Sequence, residues 1–402
     1  MAKTRPDQRP SRKSKQQKKD VNGNSKKKTE SPEILLVQAT ALLHTGEPDN
    51  ALGLASRALA QLQPNAEPTI VALPALTLLG EINIERGDPD AARAYFELAA
   101  QVDEDGEAPE ERGGGPEKFF WLAQLCEEGG LESVKWYEKG AECLRRQISE
   151  LVGKTRLSDE EELLIEERRE KLAQALCGIA EVYMTDLSWD DEEAEEQCNK
   201  VMVEALLVAP DSVEVLQTIA SVRISQSKME EAREYLSKSM QLWKDLPPED
   251  ENIPDFPSRI SLARLLMEAE MEDDAIQTLE RLVQEDDGSV EAWYLGGWCL
   301  HLIAERQART TAEMTESATK EQDREDLLRK SRAWLLECLR LYQLLDYEDE
   351  RLKEHAMELV QELNKILGPL ANDSTGAGAE DDDEWEDEED QEDENDEEME
   401  NT

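Results

Sequence analysis

The chain of 402 residues carries a formal net charge of −49, because 94 Asp and Glu residues outnumber 45 Lys and Arg residues. A surface this acidic repels nucleic acid phosphates and anionic membrane headgroups, so we expect the body of the chain to bind neither of them and to favour a polycationic partner. No apolar run reaches the roughly 18 residues of a membrane-spanning helix. A simpler interpretation, that the acidity only provides solubility, stays open.

The chain begins with a basic segment. Residues 1–28 contain 11 Lys and Arg against two acidic residues, and few of their side chains are apolar. Such a segment cannot bury enough apolar surface to offset the entropy of ordering, so residues 1–30 are predicted to be a disordered leader. The basic cluster from Arg12 to Lys19 is typical of a nuclear import signal. A non-specific basic arm has the same composition.

From residue 31 to residue 367, apolar residues recur at spacings of three and four, which predicts helices. Ser31 and Pro32 are typical of a helix start, and Gly368 followed by Pro369 predicts the end of the last helix. Strand-like alternation is absent from the sequence. The fold class is therefore predicted to be all-α, with one helical domain over residues 31–367.

A short turn motif recurs between the predicted helices. Residues 46–51 are Gly-Glu-Pro-Asp-Asn-Ala, residues 87–92 are Gly-Asp-Pro-Asp-Ala-Ala, and residues 227–232 are a weaker copy. This motif resembles the turn of the tetratricopeptide-repeat family, in which helix pairs of about 34 residues stack into a solenoid. The resemblance implies about seven helix pairs and a C-terminal capping helix. An irregular helical bundle is the alternative.

The seventh copy is predicted to be irregular. A polar stretch from about Glu305 to Arg329 is expected to interrupt it, between a first helix near Trp293 and a second near Trp334. The apolar residues between Leu352 and Leu367 then form the stripe of an amphipathic helix, which suits the end of a solenoid.

The resemblance also implies where a ligand binds, because the first helix of each pair lines the concave side in this family. In nearly every copy a Glu occupies an exposed place on that helix, beside apolar or aromatic side chains. The Lys and Asn residues with which heat-shock co-chaperones grip a carboxylate are missing there, so we expect the groove to bind an extended basic segment. The predicted partner-binding residues are Glu33, Glu81, Glu117, Phe120, Glu127, Glu181, Glu214, Glu291, Tyr294 and Trp298.

Motifs of catalytic and cofactor sites are not found in the sequence. No glycine-rich phosphate-binding motif follows a strand, and His44, His301 and His355 lie too far apart to form a zinc-binding pair. No local Ser–His–Asp or Cys–His set stands out, although such sets assemble in space. We therefore expect a protein that is not an enzyme and that binds no cofactor or metal.

The chain ends in a polyanion. Residues 373–402 contain 18 Asp and Glu, no Lys or Arg, and a single aromatic residue, Trp385. Residues 368–402 are predicted to be a disordered acidic tail, which would mask basic surfaces of a partner and accelerate its association.

The order of these parts resembles the fungal family of dedicated assembly chaperones of ribosomal protein L-four. The resemblance covers essentially the whole chain and includes the opening helix sequence Ser-Pro-Glu-Ile-Leu-Leu at residues 31–36. It implies a chaperone that binds the long basic internal loop of L-four in its groove and shuttles between cytoplasm and nucleus. Such a chaperone would deliver its client to the assembling large subunit, with nuclear import receptors as further partners. A generic tetratricopeptide scaffold and a histone chaperone are the alternatives.

Overall fold

The structure of the protein, a computed structural model, describes residues 30–65, 67–187, 192–313 and 318–368. Within these ranges every regular element is a helix, and most of the fifteen α-helices pack against a neighbour in sequence as a pair. The predicted all-α repeat fold is therefore confirmed. The predicted leader, apart from its last residue, and nearly all of the predicted acidic tail lie outside the described residues.

The helices are α1 Pro32–His44, α2 Pro48–Leu62, α3 Leu73–Glu85, α4 Pro89–Val102, α5 Glu117–Gln124, α6 Gly130–Val152, α7 Asp159–Thr185, α8 Glu192–Val208, α9 Val213–Ser225, α10 Met229–Gln241, α11 Phe256–Glu268, α12 Glu272–Glu285, α13 Val290–Glu313, α14 Ala318–Leu344 and α15 Glu350–Leu367. Short 3-10 turns cover Ile70–Ala72 and Glu110–Arg112.

The recurring turn motif separates the two helices of a pair. Gly46 and Gly87 have φ angles of +75° and +69°, a left-handed conformation that glycine adopts without steric conflict. Asp88 then caps α4, because its Oδ1 accepts a hydrogen bond from the backbone N–H of Ala91 at 3.1 Å. In the weaker copy Ser227 adopts the same conformation, with φ of 59°, at a steric cost that glycine avoids.

Small residues let the two helices of a pair approach each other closely. Gly80 on α3 lies under the ring of Phe96 on α4, and a Cβ atom at residue 80 would come within 2.5 Å of that ring. Gly140 on α6 lies in the same way against Phe120 on α5, where a Cβ atom would come within 2.2 Å. Larger side chains at these positions would push the helices apart, since protein interiors are closely packed.

The chain divides into two compact units, Met1–Ala275 and Ile276–Thr402, and the boundary falls within α12. In the first unit, buried Ala, Leu, Ile and Val side chains form cores between successive helices. In the second unit, α13, α14 and α15 pack around a core that includes Leu335, Cys338, Ala356 and Leu363. Each unit therefore has a hydrophobic core of its own.

Helix lengths differ from the sequence expectation in two places. The polar stretch predicted to interrupt the seventh copy is largely helical, because α13 continues to Glu313 and α14 begins at Ala318. Its charged residues form helices readily and pair one turn apart, as Arg329 does with Glu325 and Asp326. In addition, α6 and α7 contain 23 and 27 residues, against 13 in α9, so this hairpin extends well beyond one repeat.

Candidate binding groove

A concave cavity of about 1300 Å³ lies on the face formed by α7, α9 and α11. These are the first helices of three consecutive predicted pairs, and the family resemblance assigns such helices to the concave side. Residues 207–212 and 251–254 complete the rim of the cavity. All of its lining residues belong to the first unit.

The cavity is lined by seven carboxylates and only two guanidinium groups. The structure brings together two of the predicted residues here, Glu181 and Glu214. Sequence reasoning missed the contribution of Glu166 and Glu170, because both lie on the N-terminal extension of α7, upstream of the repeat register. The acidic residues are Glu166, Glu170, Glu181, Asp211, Glu214, Glu251 and Glu268, and the basic residues are Arg169 and Arg264.

The negative charges of Glu170 and Glu181 lie close enough to Glu214 to repel its carboxylate. Burial on the concave side raises the pKa of Glu214, and the charges of Glu170 and Glu181 raise it further. Burial likewise raises the pKa of Glu181. Both side chains are still exposed to water. Their pKa values are raised because the neighbouring protein atoms of the concave face displace part of their hydration. A bound cation would relieve this repulsion, as expected for a site that takes basic side chains.

A few of the lining side chains already have partners within the cavity. Arg169 pairs with Glu166 at 2.8 Å, and the Ser212 hydroxyl donates a hydrogen bond to Glu170 at 3.1 Å. Two lining arginines cannot balance seven carboxylates, so an excess of negative charge remains for a ligand to neutralise.

A buried amide also lines this cavity. Gln217 on α9 is 8% exposed, and its side-chain nitrogen has no hydrogen-bond partner among the described residues. A buried donor without a partner costs roughly 1–3 kcal/mol. Rotation of this side chain toward the cavity would let its amide donate a hydrogen bond to a carbonyl oxygen of a ligand and recover that cost, so Gln217 is a candidate contact for the backbone of an extended peptide.

Three further predicted residues lie on α1, α3 and α5. Burial raises the pKa of Glu81, and the charge of Glu117 is a second cause. Glu117 also pairs with Lys171 of α7, with 3.1 Å between Nζ and Oε1. Glu33 on α1 is exposed, and the pKa of its carboxyl is lowered by hydrogen bonds from its own backbone N–H and from the Ser31 hydroxyl. Glu33 is therefore well stabilised as an anion without a ligand.

Phe120 and Glu127 both contact other side chains of this chain. Phe120 is half-buried in the pair α5–α6, and its ring centroid lies 6.2 Å from that of Tyr137. Because α5 ends at Gln124, Glu127 lies beyond the helix that was predicted to carry it, and it pairs with Arg93 of α4. The predicted helical position of Glu127 is wrong, since α5 is shorter than a standard first helix.

In the second unit, the predicted residues Glu291, Tyr294 and Trp298 all lie on α13 and are half-buried. The Tyr294 hydroxyl lies 2.7 Å from Nδ1 of His355, and the Trp298 ring centroid lies 5.1 Å from that of His355. His355 belongs to the capping helix α15. Both aromatic side chains therefore pack partly against other residues of the second unit. The repeat register does not predict these contacts.

The described residues offer no metal site: they contain no group of three or more His, Cys, Asp or Glu side chains that could hold a metal ion. None of the helices in these same ranges is both long and apolar enough to cross a membrane.

Known proteins resemble this chain in sequence. The family model described as "Tetratricopeptide repeat" matches residues 73–105. A protein of Emericella nidulans named "Probable assembly chaperone of rpl4" is 46% identical over 394 residues, which cover 96% of this chain and 97% of the relative. A protein of Schizosaccharomyces pombe with the same name is 34% identical over 313 residues, which cover 78% of this chain and 85% of the relative.

A solved structure resembles this chain as well. The structure titled "Assembly Chaperone of RpL4 (Acl4) (Residues 1-338)" superimposes with a TM-score of 0.64 at 49% sequence identity. The match covers 70% of this chain and 100% of that chain.

Proposed function

Because the chain belongs to the family of assembly chaperones of rpl4, we propose that it binds and shields rpl4 as a dedicated chaperone. In this proposal a basic, extended segment of rpl4, its long internal loop, lies in the acidic cavity of α7, α9 and α11. Binding needs no covalent chemistry and no cofactor. The excess of carboxylates in that cavity is the single observation that carries the assignment of the site.

Ion pairs alone do not supply the free energy that binding of the client requires. An exposed ion pair contributes roughly 0.2–1 kcal/mol, so several such pairs supply only a few kcal/mol, whereas a micromolar complex needs about 8 kcal/mol. Contacts to the peptide backbone, such as one from Gln217, and apolar contacts along the groove would supply the remainder. Raised pKa values at Glu181 and Glu214 support the proposal, since uncompensated charge is a cost that a cationic ligand removes.

Release follows from the same chemistry. Ribosomal RNA phosphates and the chaperone's carboxylates compete for the same Lys and Arg side chains, so RNA at the assembling large subunit would displace the chaperone. As part of the proposal, the chain shuttles between cytoplasm and nucleus and escorts its client, and the basic residues of segment 1–28 recruit import receptors.

Titration of the full-length chain with purified rpl4, at salt concentrations from about 0.1 to 0.5 M, tests the proposal. We expect saturable binding at one client per chain, with an affinity that falls steeply as salt rises. A mixture of core histones serves as the control ligand and should bind more weakly at every salt concentration. Absence of binding to rpl4, a salt-independent affinity, or equal affinity for histones would contradict a dedicated rpl4 chaperone.

A further inference from the structure

A second cavity, apolar in character, adjoins the acidic one. It has a volume of about 690 Å³ and lies between the C-terminal end of α6 and the N-terminal half of α7. This volume falls within the roughly 300–1,000 Å³ of pockets that enclose small ligands, so there is room for an apolar side chain. Its walls include Val152, Leu157, Leu163 and Ile165, and Asp159, Glu162, Glu166 and Arg169 complete the lining.

Two residues of the apolar wall are exposed to solvent, although most proteins bury such side chains. Leu163 is 72% exposed and Val152 is 54% exposed, and both border the same cavity. Single exposed apolar residues are common on protein surfaces, but several grouped around a cavity with a polar rim mark an interaction surface.

Local contacts hold the turn between α6 and α7 in place. The backbone N–H of Glu161 donates a hydrogen bond to Ser158 Oγ at 3.2 Å, and the backbone N–H of Ser158 donates one to Glu161 Oε2 at 2.9 Å. Lys154 also pairs with Glu161 across the turn. This capping box fixes the start of α7, so the apolar cavity is formed before a ligand arrives and binding carries a small ordering cost.

The two cavities share part of their lining. Glu166 and Arg169, which form an ion pair at 2.8 Å, belong to both. A peptide that leaves the acidic cavity along α7 therefore passes this ion pair and meets the wall formed by Leu163 and Val152.

We propose that the apolar cavity binds an apolar side chain of the same basic segment that the acidic cavity binds. The inference rests on the proposed function and makes it more specific: the preferred segment of rpl4 carries a Leu, Ile, Val, Met or Phe with Lys or Arg close to it in sequence. Carboxylates at the rim, from Asp159, Glu162 and Glu166, attract the basic neighbours of that side chain. A second copy of this chain fits poorly, because a symmetric contact would bring the same carboxylates together.

The substitution Leu163→Gln in the full-length chain tests this inference, with Leu131→Gln as the matched control. Leu131 lies on α6, is 59% exposed and lines neither cavity. We expect Leu163→Gln to weaken binding of rpl4 at least fivefold with an unchanged salt dependence, because no charge is removed, and Leu131→Gln to bind within twofold of the unsubstituted chain. Equal affinities of the two variants would overturn the inference.

A double-mutant cycle sharpens the result. Peptides from basic segments of rpl4, with their apolar residue replaced by Ser, should bind the unsubstituted chain more weakly than the parent peptides do. They should lose no further affinity on the Leu163→Gln chain, because the two changes remove the same contact. Additive losses in the cycle count against the apolar cavity as the site of that residue.

Three further outcomes show whether the inference and the proposed function stand or fall separately. If the Leu163→Gln chain binds rpl4 normally while Glu181→Lys with Glu214→Lys weakens binding about a hundredfold, the apolar cavity is not used and the proposed function stands. If light scattering shows that the unsubstituted chain is a dimer which Leu163→Gln converts to a monomer of unchanged affinity, the cavity binds a second copy and the inference is overturned. If the unsubstituted chain does not bind rpl4, both fail together.

Discussion

Glu181 and Glu214 of the acidic cavity and Tyr294 and Trp298 of α13 were predicted as groove residues from the same repeat register, yet their surroundings in the structure differ. In the cavity, Glu181 and Glu214 remain open to water and repel each other. In the aromatic cluster of α13 and α15, Tyr294 and Trp298 contact His355 of the capping helix. A repeat register therefore predicts which face of a helix a residue occupies, and tertiary packing decides whether that face remains available to a partner.

Charge reversal in the cavity should have the largest effect. We expect Glu181→Lys combined with Glu214→Lys to weaken rpl4 binding about a hundredfold, since each reversal replaces an attraction with a repulsion. Isothermal titration provides the measurement. As the control, Glu142→Lys with Glu234→Lys changes the net charge equally at exposed positions on α6 and α10, and affinity should then change less than threefold. Equal losses in the two double variants would mean that net charge, and not this cavity, attracts the client.

A substitution in the aromatic cluster should lower the stability of the second unit and leave the affinity for rpl4 nearly unchanged. Trp298→Ala removes a half-buried ring from the contact with His355, and we expect it to destabilise the second unit by about 2 kcal/mol. Denaturant unfolding measures this change, and titration with rpl4 should show less than a threefold loss of affinity. A tenfold loss of affinity at unchanged stability would show that Trp298 is a direct contact, as the repeat register alone predicts.

Substitution of Gln217 should increase the stability of the chain and weaken its binding of rpl4. In Gln217→Met the buried amide without a partner is replaced by an apolar side chain of similar size, so the free chain should gain about 1 kcal/mol in its free energy of unfolding. The same change should weaken rpl4 binding severalfold, because the donor for a peptide carbonyl is lost. Ser225→Ala, an exposed position on α9 outside the cavity lining, serves as the control for both measurements. A variant that is less stable and binds normally would show that the amide has a structural role.

The smallest expected effect concerns pH. The pKa of Glu214 is raised above its ordinary value of 4.5, so the stability it contributes is present below that value and is lost as the pH rises through the folded-state pKa. Glu214→Gln should therefore raise Tm at about pH 7 and change it little at about pH 4, while affinity for rpl4 at about pH 7 falls up to roughly fivefold. A lower Tm of this variant at neutral pH would contradict the proposed repulsion among Glu170, Glu181 and Glu214.

Much of the fold followed from local features of the sequence. The turns at Gly46 and Gly87 set the helix pairs, and the family resemblance deduced from the repeats and the charged termini is confirmed by relatives that match most of the chain. Helix length was harder to predict, because charged helix-forming residues continue a helix beyond the apolar positions of the repeat. For this reason the extension of α7, which carries Glu166 and Glu170 into the cavity, was missed, and so was the helical extent of the polar stretch before Arg329.

The remaining parts of the site depend on contacts between distant residues. His355 lies 61 residues from Tyr294, and no sequence spacing indicates that they touch. The short helix α5, which ends at Gln124, likewise removes Glu127 from its expected position and lets Arg93 pair with it. The apolar cavity beside Leu163 arises only when the ends of α6 and α7 meet.

Site-specific photocrosslinking tests most directly whether the cavity of α7, α9 and α11 holds the client. Benzoylphenylalanine in place of Ser221, a half-buried residue of the cavity wall, should crosslink to a Lys- and Arg-rich segment of rpl4 in the full-length complex. The same probe in place of Glu234, exposed on α10, should give no crosslink to that segment. A stoichiometric complex that crosslinks to this segment from position 234 and not from position 221 would contradict the account.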